Sequence, residues 1–528
     1  MKLAFLKTYR FLKFSPIIFI IGLFVISCSS EKEKKSEDEI IIAKVGDRVI
    51  TARDFKTSFE FSFAPFRQGP NPRKTYLDYM IKELLLANEG YAQGFNNSRY
   101  VKTRVKNRRN NDLLQAFYTK YVHGRVNIPD KEIEEATKKA TVKFRLMIWE
   151  LPTLHDAEKA YSKAKKSDLE DYVQQQISKL EVKNVKKEYF ETDWLDYLDL
   201  RPEILEQIQD LEIGKPSKPI SLGDGYALFQ VLEINREPIK EDELKYGARR
   251  KRIEARLFNI QSDKIVHKLM DSLLTPLNVR AKGRVIEELV QPLFQWIVAG
   301  LPEYGSLVEN INAATDTSQY YLQTLKKMLP ETLVTYSKGT ITVEDYFNYM
   351  NYHRRIINRS KTPKELHNNL ILEIGTMIKN NEFIEIAKEE GYQDSASIVH
   401  DLQLWEQKWT YDIYRSHLVD TITVTEQEMK DYFKNRWREL PIADVDTTRF
   451  YKYEDDVYNT ILHEKQIKYL DKELAELKKK YPVWINEEAL NSLELNDDPK
   501  SLETSLFVTK NFTGEKIVPD ADLKWIHF

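Results

Sequence analysis

The sequence predicts a mostly helical α+β protein in which one helical module is used twice and a small α+β domain is inserted into the first copy only. Three observations predict it. Short segments near the start of the chain recur, in order and in register, some 290 to 300 residues later. Both regions continue into long stretches of amphipathic helical pattern. Between them, after the first copy only, lies a block with strand-like alternation and Pro/Gly punctuation. A length of 528 residues allows three or four domains. With 17 Gly and 19 Pro, the chain is neither collagenous nor linker-dominated nor largely disordered.

The N-terminus carries Lys2, Lys7, Arg10 and Lys13 and no acid, followed by an apolar run from Ile17 to Ile26. A basic segment before a short apolar one is a secretory signal. The run is shorter than the roughly 20 residues that span a bilayer. Val25-Ile26-Ser27-Cys28 then resembles the bacterial lipobox, which implies cleavage before Cys28 and a lipid on its sulfur; the alternative is an uncleaved N-terminal anchor with an incidental Cys. Ser29, rather than an Asp, follows. By the usual sorting of such lipoproteins, that implies the periplasmic side of the outer membrane in a host that has one. Residues 29–39 contain no apolar side chain and form a solvated tether. Ile40–Val45 reads as a strand, Gly46-Asp47 as a turn, and Val49–Thr51 as the returning strand, with Thr51 capping a helix through Asp54 and Phe55.

Val49–Phe55 matches Thr340–Tyr346, Ala92–Phe95 with Ser98 matches Glu389–Tyr392 with Ser395, and Ile128–Ile133 matches Val424–Met429, at offsets of 291, 297 and 296. Helices are expected over 76–93, 99–123 and 130–139 in the first copy and over 364–391, 396–418 and 425–436 in the second. Within 141–236, Val142, Phe144, Leu146 and Ile148 alternate with Lys143, Arg145 and Met147 as a strand. Helical stretches follow at 156–166 and 168–180, and a further strand runs over 227–232. Long helices over 240–273 and 454–480 close the two copies, the second laced with acid–base pairs along Glu464–Lys480. The bounds are therefore 1–27 for the signal peptide, 28–39 for the tether, 40–140 and 237–290 for the two parts of the first module, 141–236 for the inserted domain, 291–437 for the second module and 438–528 for a C-terminal helix and tail.

Val45–Thr51 resembles the first hairpin of the SurA/PrsA group of exported foldases, and 141–236 resembles their parvulin-type (PpiC-type) peptidyl-prolyl isomerase domain. Asp193-Trp194-Leu195, Leu200-Arg201-Pro202-Glu203-Ile204, the run Leu211–Ile220 with its Gly214-x-x-Ser217-x-Pro219 element, and Gly225-Tyr226 carry the likeness. The resemblance covers about 40–290, and more weakly 336–485. It implies a SurA-like chaperone module used twice. It also assigns a peptide or proline pocket to Leu146, Met147, Trp194, Leu200, Ile204 and Tyr226. The two histidine positions of the family read Leu146 (or Met147) and Ala227, and Tyr189–Asp193 replaces a Gly-rich run. Of nine His in the chain, His155 alone lies in the block, ahead of a helix. Leu200 and Ile204, four apart on one helix face, are either pocket wall or core. The resemblance thus implies a parvulin fold kept for packing or peptide contact, with isomerase catalysis weak or lost.

No phosphate-loop, dinucleotide, zinc-protease or nucleophile-elbow motif is present, and a single Cys excludes an internal disulfide or a Cys-rich metal site; no cofactor and no metal are expected. Lys plus Arg (80) nearly balance Asp plus Glu (82), which gives no nucleic-acid signature. The run Arg99, Lys102, Arg104, Lys106, Arg108 and Arg109 reads as a solvated helix face, with anionic headgroups as the alternative partner. Trp405, Trp409, Tyr411 and Tyr414 fall at helical spacings, as core or as a peptide groove. The function classes left are a lipid-anchored chaperone for unfolded exported polypeptides, outer-membrane proteins among them, an active prolyl isomerase, and a scaffold subunit of an envelope machine.

Overall fold

The computed structural model describes residues 36–179, 185–223, 225–239, 244, 247–300, 307–314, 319–350, 357–442, 445–496 and 518–526. The signal peptide, Cys28 and most of the tether lie outside the described residues. The first copy begins with β1 (Ile41–Val45), β2 (Arg48–Thr51), α1 (Ala52–Glu60), α2 (Pro72–Ala92), α3 (Arg99–Tyr121) and α4 (Asp130–Lys139). The inserted block holds β3 (Val142–Leu151), α5 (Leu154–Ala164), α6 (Leu169–Ile177), α7 (Pro202–Ile208), β4 (Ile220–Ser221) and β5 (Tyr226–Arg236). Next come α8 (Ala248–Leu274), β6 (Arg280–Ala281), α9 (Gly283–Val298), α10 (Leu307–Ala313) and α11 (Tyr320–Met328). The second copy follows with β7 (Thr332–Tyr336), β8 (Gly339–Thr342), α12 (Val343–Met350), α13 (Pro363–Glu389), α14 (Ala396–Val419), α15 (Glu426–Arg436), α16 (Glu454–Lys480), β9 (Val483–Ile485) and α17 (Glu487–Ser492). The fold is mostly helical, with three small antiparallel sheets. Among the described residues no helix is long and apolar enough to cross a membrane.

The duplication is visible in hydrogen-bond register as well as in sequence. Ile41 faces Thr51 and Ala43 faces Ile50, so Ile42 is an extra residue in its strand. Thr332 faces Thr342 and Val334 faces Ile341, with Leu333 as the extra residue. Every pair in one hairpin maps onto the other at an offset of 291. Both bulged residues are fully buried; the bulge turns an otherwise out-facing side chain into the core. The caps repeat as well. The Oγ1 of Thr51 accepts from the Asp54 N–H at 3.1 Å, and that of Thr342 from the Asp345 N–H at 3.1 Å.

Each hairpin gains a third strand from far along the chain. β9, at the end of α16, pairs with β1; β6, just beyond α8, pairs with β7. The chain accordingly forms two compact units. The first contains β1, β2, α1 and α2 from copy one with residues 407–419, α15, α16, β9 and α17 from copy two. The second contains α3, α4 and α8 from copy one, the inserted block, and β7, β8, α12 and α13 from copy two. In each unit the front half of one copy packs on the back half of the other. Leu113, Leu114 and Phe117 of α3 thus lie on Phe383, Ile384 and Ala387 of α13, with the Phe117 and Phe383 rings stacked at 4.1 Å. Tyr411 and Tyr414 lie against Leu84, Leu85 and Ala87 of α2.

Residues 518–526 are held in the first unit by a buried polar cluster. The Glu83 carboxylate accepts from Lys408 Nζ at 2.6 Å, from the Asp522 N–H at 2.5 Å and from Trp525 Nε1 at 3.2 Å. Burial pushes the Glu83 carboxyl up to about 7 against the pull of Lys408. A carboxylate so placed needs its cation, because an unpaired buried charge costs several kcal/mol.

Gly90 marks the tightest helix contact of that unit. A Cβ there would meet Thr410 Cγ2 at 2.9 Å and Tyr414 Cβ at 3.2 Å, whereas a Cβ on Gly375, inside α13, meets nothing within 4 Å. Gly375→Ala is expected to stabilise by about 0.5–1 kcal/mol through helix propensity. Gly90→Ala should instead destabilise by about 1–3 kcal/mol, because overpacking outweighs the same propensity gain. Thermal melts of the two variants check this. Equal upward shifts in Tm would contradict the close approach at Gly90.

Candidate functional site

The inserted block is a three-stranded sheet of order β3-β5-β4. Its ends are adjacent, since Val142 pairs with Arg236 and the Glu237 N–H donates to Thr141 O at 2.9 Å. The block therefore leaves and rejoins the neighbouring helices at one place. The segment 191–195 lies along the free edge of β3. Phe144 and Leu195 exchange backbone bonds of 2.8 and 2.9 Å, and the Leu146 N–H donates to Thr192 Oγ1 at 3.0 Å. The Gly214-x-x-Ser217-x-Pro219 element lies along the opposite side. Gly214 takes φ +83° and donates to Val231 O at 3.0 Å. Buried Ser217 accepts from the Phe229 N–H at 2.9 Å and donates to Lys218 O at 2.8 Å. The motif is therefore a strand-edge lock, which explains why it needs a residue free to adopt positive φ and a small hydroxyl.

Alternation along the strands gives the sheet two apolar faces. Phe144, Leu146, Ala227, Phe229 and Val231 face α7, with Ile204 and Ile208 over them and Leu200 and Leu205 against the margin. Met147 and Leu228 face α5 and α6 on the other side, with Ala160, Leu169 and Val173. The structure thus brings Leu146, Ala227, Ile204 and Leu200 into one cluster and places Met147 in another. Trp194 is 40% exposed on the 191–195 segment, and Tyr226 is half-buried at the start of β5. His155 is exposed in the first turn of α5.

Both positions that the sequence resemblance aligns with histidines are interior. Leu146 and Ala227 have no exposed surface, and Ile204 retains 7%. An imidazole there would need a hydrogen-bond partner for each ring nitrogen; the apolar side chains packed at these positions are aliphatic and phenyl groups, and the neighbouring Thr192 and Ser217 hydroxyls already accept from the Leu146 and Phe229 N–H groups. In the block the displaced titrations lie elsewhere. Burial raises the Tyr172 phenol, burial followed by Asp196 raises that of Tyr197 to about 12, and a hydrogen bond to Glu170 raises the Lys187 ammonium. None of these groups belongs to the Leu146–Ile204 cluster, whose own side chains carry no titratable group.

No family model and no curated protein sequence matches the chain. The chain is similar in structure to PrsA and to SurA-like chaperones. A 1.70 Å crystal structure of the peptidylprolyl isomerase PrsA from Bacillus anthracis is 16% identical, covering 37% of this chain and 96% of that one, at a TM-score of 0.23. A structure from work on PEB4 and the periplasmic protein Cj1289, described as SurA-like chaperones of Campylobacter jejuni, is 16% identical over 46% of this chain and 100% of that one, at 0.22. PrsA from Bacillus cereus is 16% identical over 45% and 93%, also at 0.22.

Three residues that matter to the block carry no motif signal. Gln230, 2% exposed on the α6 face, accepts from the Leu169 N–H at 2.6 Å and so satisfies the start of α6. Asp196 and Asp199 hold Arg256 of α8 at 2.8 Å each, which fixes the block to its own module. Of the basic run expected as a solvated face, Arg99, Lys102, Lys106 and Arg109 are exposed, whereas Arg108 is turned inward. Arg108 is 3% exposed, forms a two-point pair with Asp401 at 2.5 and 2.8 Å and lies 4.6 Å over Trp405. Tyr411 and Tyr414 are core.

Installing a family histidine tests whether these positions are interior. Leu146→His should cost about 2–4 kcal/mol by burying an unsatisfied polar ring. Such a ring has its folded-state pKa lowered, so the unfolded chain binds more protons and the loss should deepen as pH falls from 7 to 5. Denaturant titrations at pH 8 and pH 5 read both effects. A variant as stable as the parent at both values would mean that Leu146 lines an open site.

Proposed function

We propose that the protein is a lipid-anchored extracytoplasmic chaperone for unfolded exported polypeptides, outer-membrane proteins among them, in which the parvulin-like domain serves packing and peptide contact with little isomerase catalysis. The observation that carries the second half is the complete burial of Leu146 and Ala227 in an apolar cluster. Rotation about a prolyl bond has a barrier of about 18–20 kcal/mol, and a protein lowers it by desolvating the imide and stabilising the twisted form. The apolar side chains packed on Leu146 and Ala227 offer a proline no hydrogen bond, and neither residue has exposed surface to meet one. The half-buried Leu200 and the exposed Trp194 remain available to a passing peptide at the margin of the block. The basic leader, the Val25–Cys28 segment and the uncharged Ser29 support lipidation at Cys28 and a position on the periplasmic side of the outer membrane. The resemblance of 40–290 to exported foldases supports unfolded clients.

Two assays on one preparation test the reading, using a fragment that begins at Ser36. The fragment should suppress aggregation of a chemically unfolded protein near equimolar ratio. It should accelerate cis-to-trans conversion of a proline tetrapeptide at least tenfold less than an ordinary parvulin at equal concentration. Parvulin-like acceleration would make the protein an enzyme and overturn the degenerate-site reading. Failure to suppress aggregation of any of several unrelated clients would favour a scaffold with one folded partner.

A further inference from the structure

The second copy departs from the first at the point where the α+β block is missing. Where copy one runs from α4 into β3, copy two runs from α15 through residues 437–453 into α16, and the described residues there form an open cleft of about 570 Å³. One wall is a single face of α15 extended by one residue: Lys430, Phe433, Lys434 and Trp437, spaced i, i+3, i+4 and i+7. The other carries Phe450 and Tyr451. Phe450 stands edge-on to Phe433 at 5.6 Å and to Tyr451 at 5.4 Å. Tyr451 is 76% exposed, and Trp437 is half-buried. Phe433 and Tyr453 belong to the core beneath, with Val457 of α16, so the cleft has a fixed floor. The corresponding face of α4 reads Glu134, Thr137, Lys138 and Thr141. It has no aromatic ring, and Thr137 is fully buried with its hydroxyl on Ile133 O.

The charge of the cleft is one-sided. Its lining holds two ammonium groups and no carboxylate. Lys430 pairs with Glu426 at 2.6 Å, whereas Lys434 has no carboxylate partner among the described residues. The helical wall spans about 10 Å, the rise of seven helical residues at ~1.5 Å each, which matches about three residues of extended chain. In an extended chain, side chains two apart point the same way. A segment lying along this wall can therefore set one ring against Phe433, Trp437 and Phe450 while presenting a carboxylate to Lys434.

We propose that this cleft binds extended polypeptide segments in which an aromatic residue stands two positions from an aspartate or glutamate. The ring supplies contact area against three aromatic faces, and the acid fixes direction and register. The source of such segments, unfolded clients, rests on the chaperone reading; the binding itself does not.

The test is fluorescence anisotropy with the full chain and a fluorescein-labelled octapeptide centred on Phe-Gly-Asp. Saturable binding is expected, weakened about tenfold or more by Trp437→Ala and by Lys434→Glu. A peptide with Lys in place of Asp should regain affinity for Lys434→Glu. Tyr451→Ser changes an exposed side chain and so leaves folding intact; it should weaken binding several-fold, and a benzophenone side chain placed at 451 should crosslink the peptide. No saturable binding, binding indifferent to both Lys434→Glu and Tyr451→Ser, or displacement by an anionic oligosaccharide at lower concentration than by unlabelled peptide would overturn the proposal. Cleft-dependent peptide binding by a protein that fails to suppress aggregation would uphold the cleft and overturn the chaperone reading, so the two fail separately.

Discussion

A two-stranded hairpin leaves a row of unpaired N–H and C=O groups along its edge and is marginal alone in water. Both hairpins of this chain meet that constraint in the same way, by accepting a third strand delivered by the C-terminal end of a 27-residue helix. The helix that delivers it belongs to the other copy. Everything else in each unit follows from that exchange. Once β9 is fixed on β1, α16 must run back across α2, and Leu470, Leu474 and Leu477 close over the apolar face that Leu77, Ile81 and Leu85 leave open. Once β6 is fixed on β7, α8 has its own N-terminal half free to pack Ile253 and Leu257 on Ile133 and Ala136 of α4. The copies depend on each other for their cores, so neither half-chain contains a complete one.

This dependence explains why the insertion after α4 is tolerated. The α4–α8 contact is formed whether the intervening chain is short or long, because loop closure cost grows only slowly with length. Copy one uses the opening for a domain whose ends meet at Val142 and Arg236. Copy two keeps a short connector there and lines it with Trp437, Phe450 and Tyr451. The same topological position thus carries two different surfaces, one folded around a closed apolar interior and one open with exposed rings. The interior of the former is packed with Leu146 and Ala227 among other apolar side chains.

Much of this was legible in the sequence. The cap at Thr51 sits where the sequence places it, and the long helices begin and end within a few residues of their periodic patterns except α8, which starts at Ala248 and not near 240 because Gly247 before it is extended. Residues 130–139 match in full; α2 starts four residues earlier than its apolar pattern because Pro72 is a favourable first helical residue. The alternation over 142–148 identified β3, whereas Leu200 and Ile204 do not share a helix face as expected, because α7 begins only at Pro202; they still meet in one cluster. What alternation could not say is which face each strand position buries beneath which helix, and so Met147 and Leu146 read as interchangeable when they belong to opposite clusters. The exchange was not legible at all. β6 has two residues and β9 three, too few for a period, and an amphipathic pattern reports that a face is buried without naming its partner. The cleft did leave a trace, the i, i+3, i+4, i+7 run of Lys430, Phe433, Lys434 and Trp437, which is also the pattern of an ordinary core-facing helix.

The exchange of strands is most directly tested by disulfide crosslinking in a Cys28→Ser background, since the chain has a single natural Cys. Lys44 and Trp484 face each other across β1 and β9, and directly opposed antiparallel residues lie about 4.5–5.5 Å apart at Cα, within disulfide range. Lys44→Cys with Trp484→Cys should close within one chain under mild oxidation, as should Arg280→Cys with Thr335→Cys across β6 and β7. A copy that kept its own strand would instead pair β1 with β6. Efficient intramolecular closure of Lys44→Cys with Arg280→Cys, and none for Lys44→Cys with Trp484→Cys, would contradict the exchange.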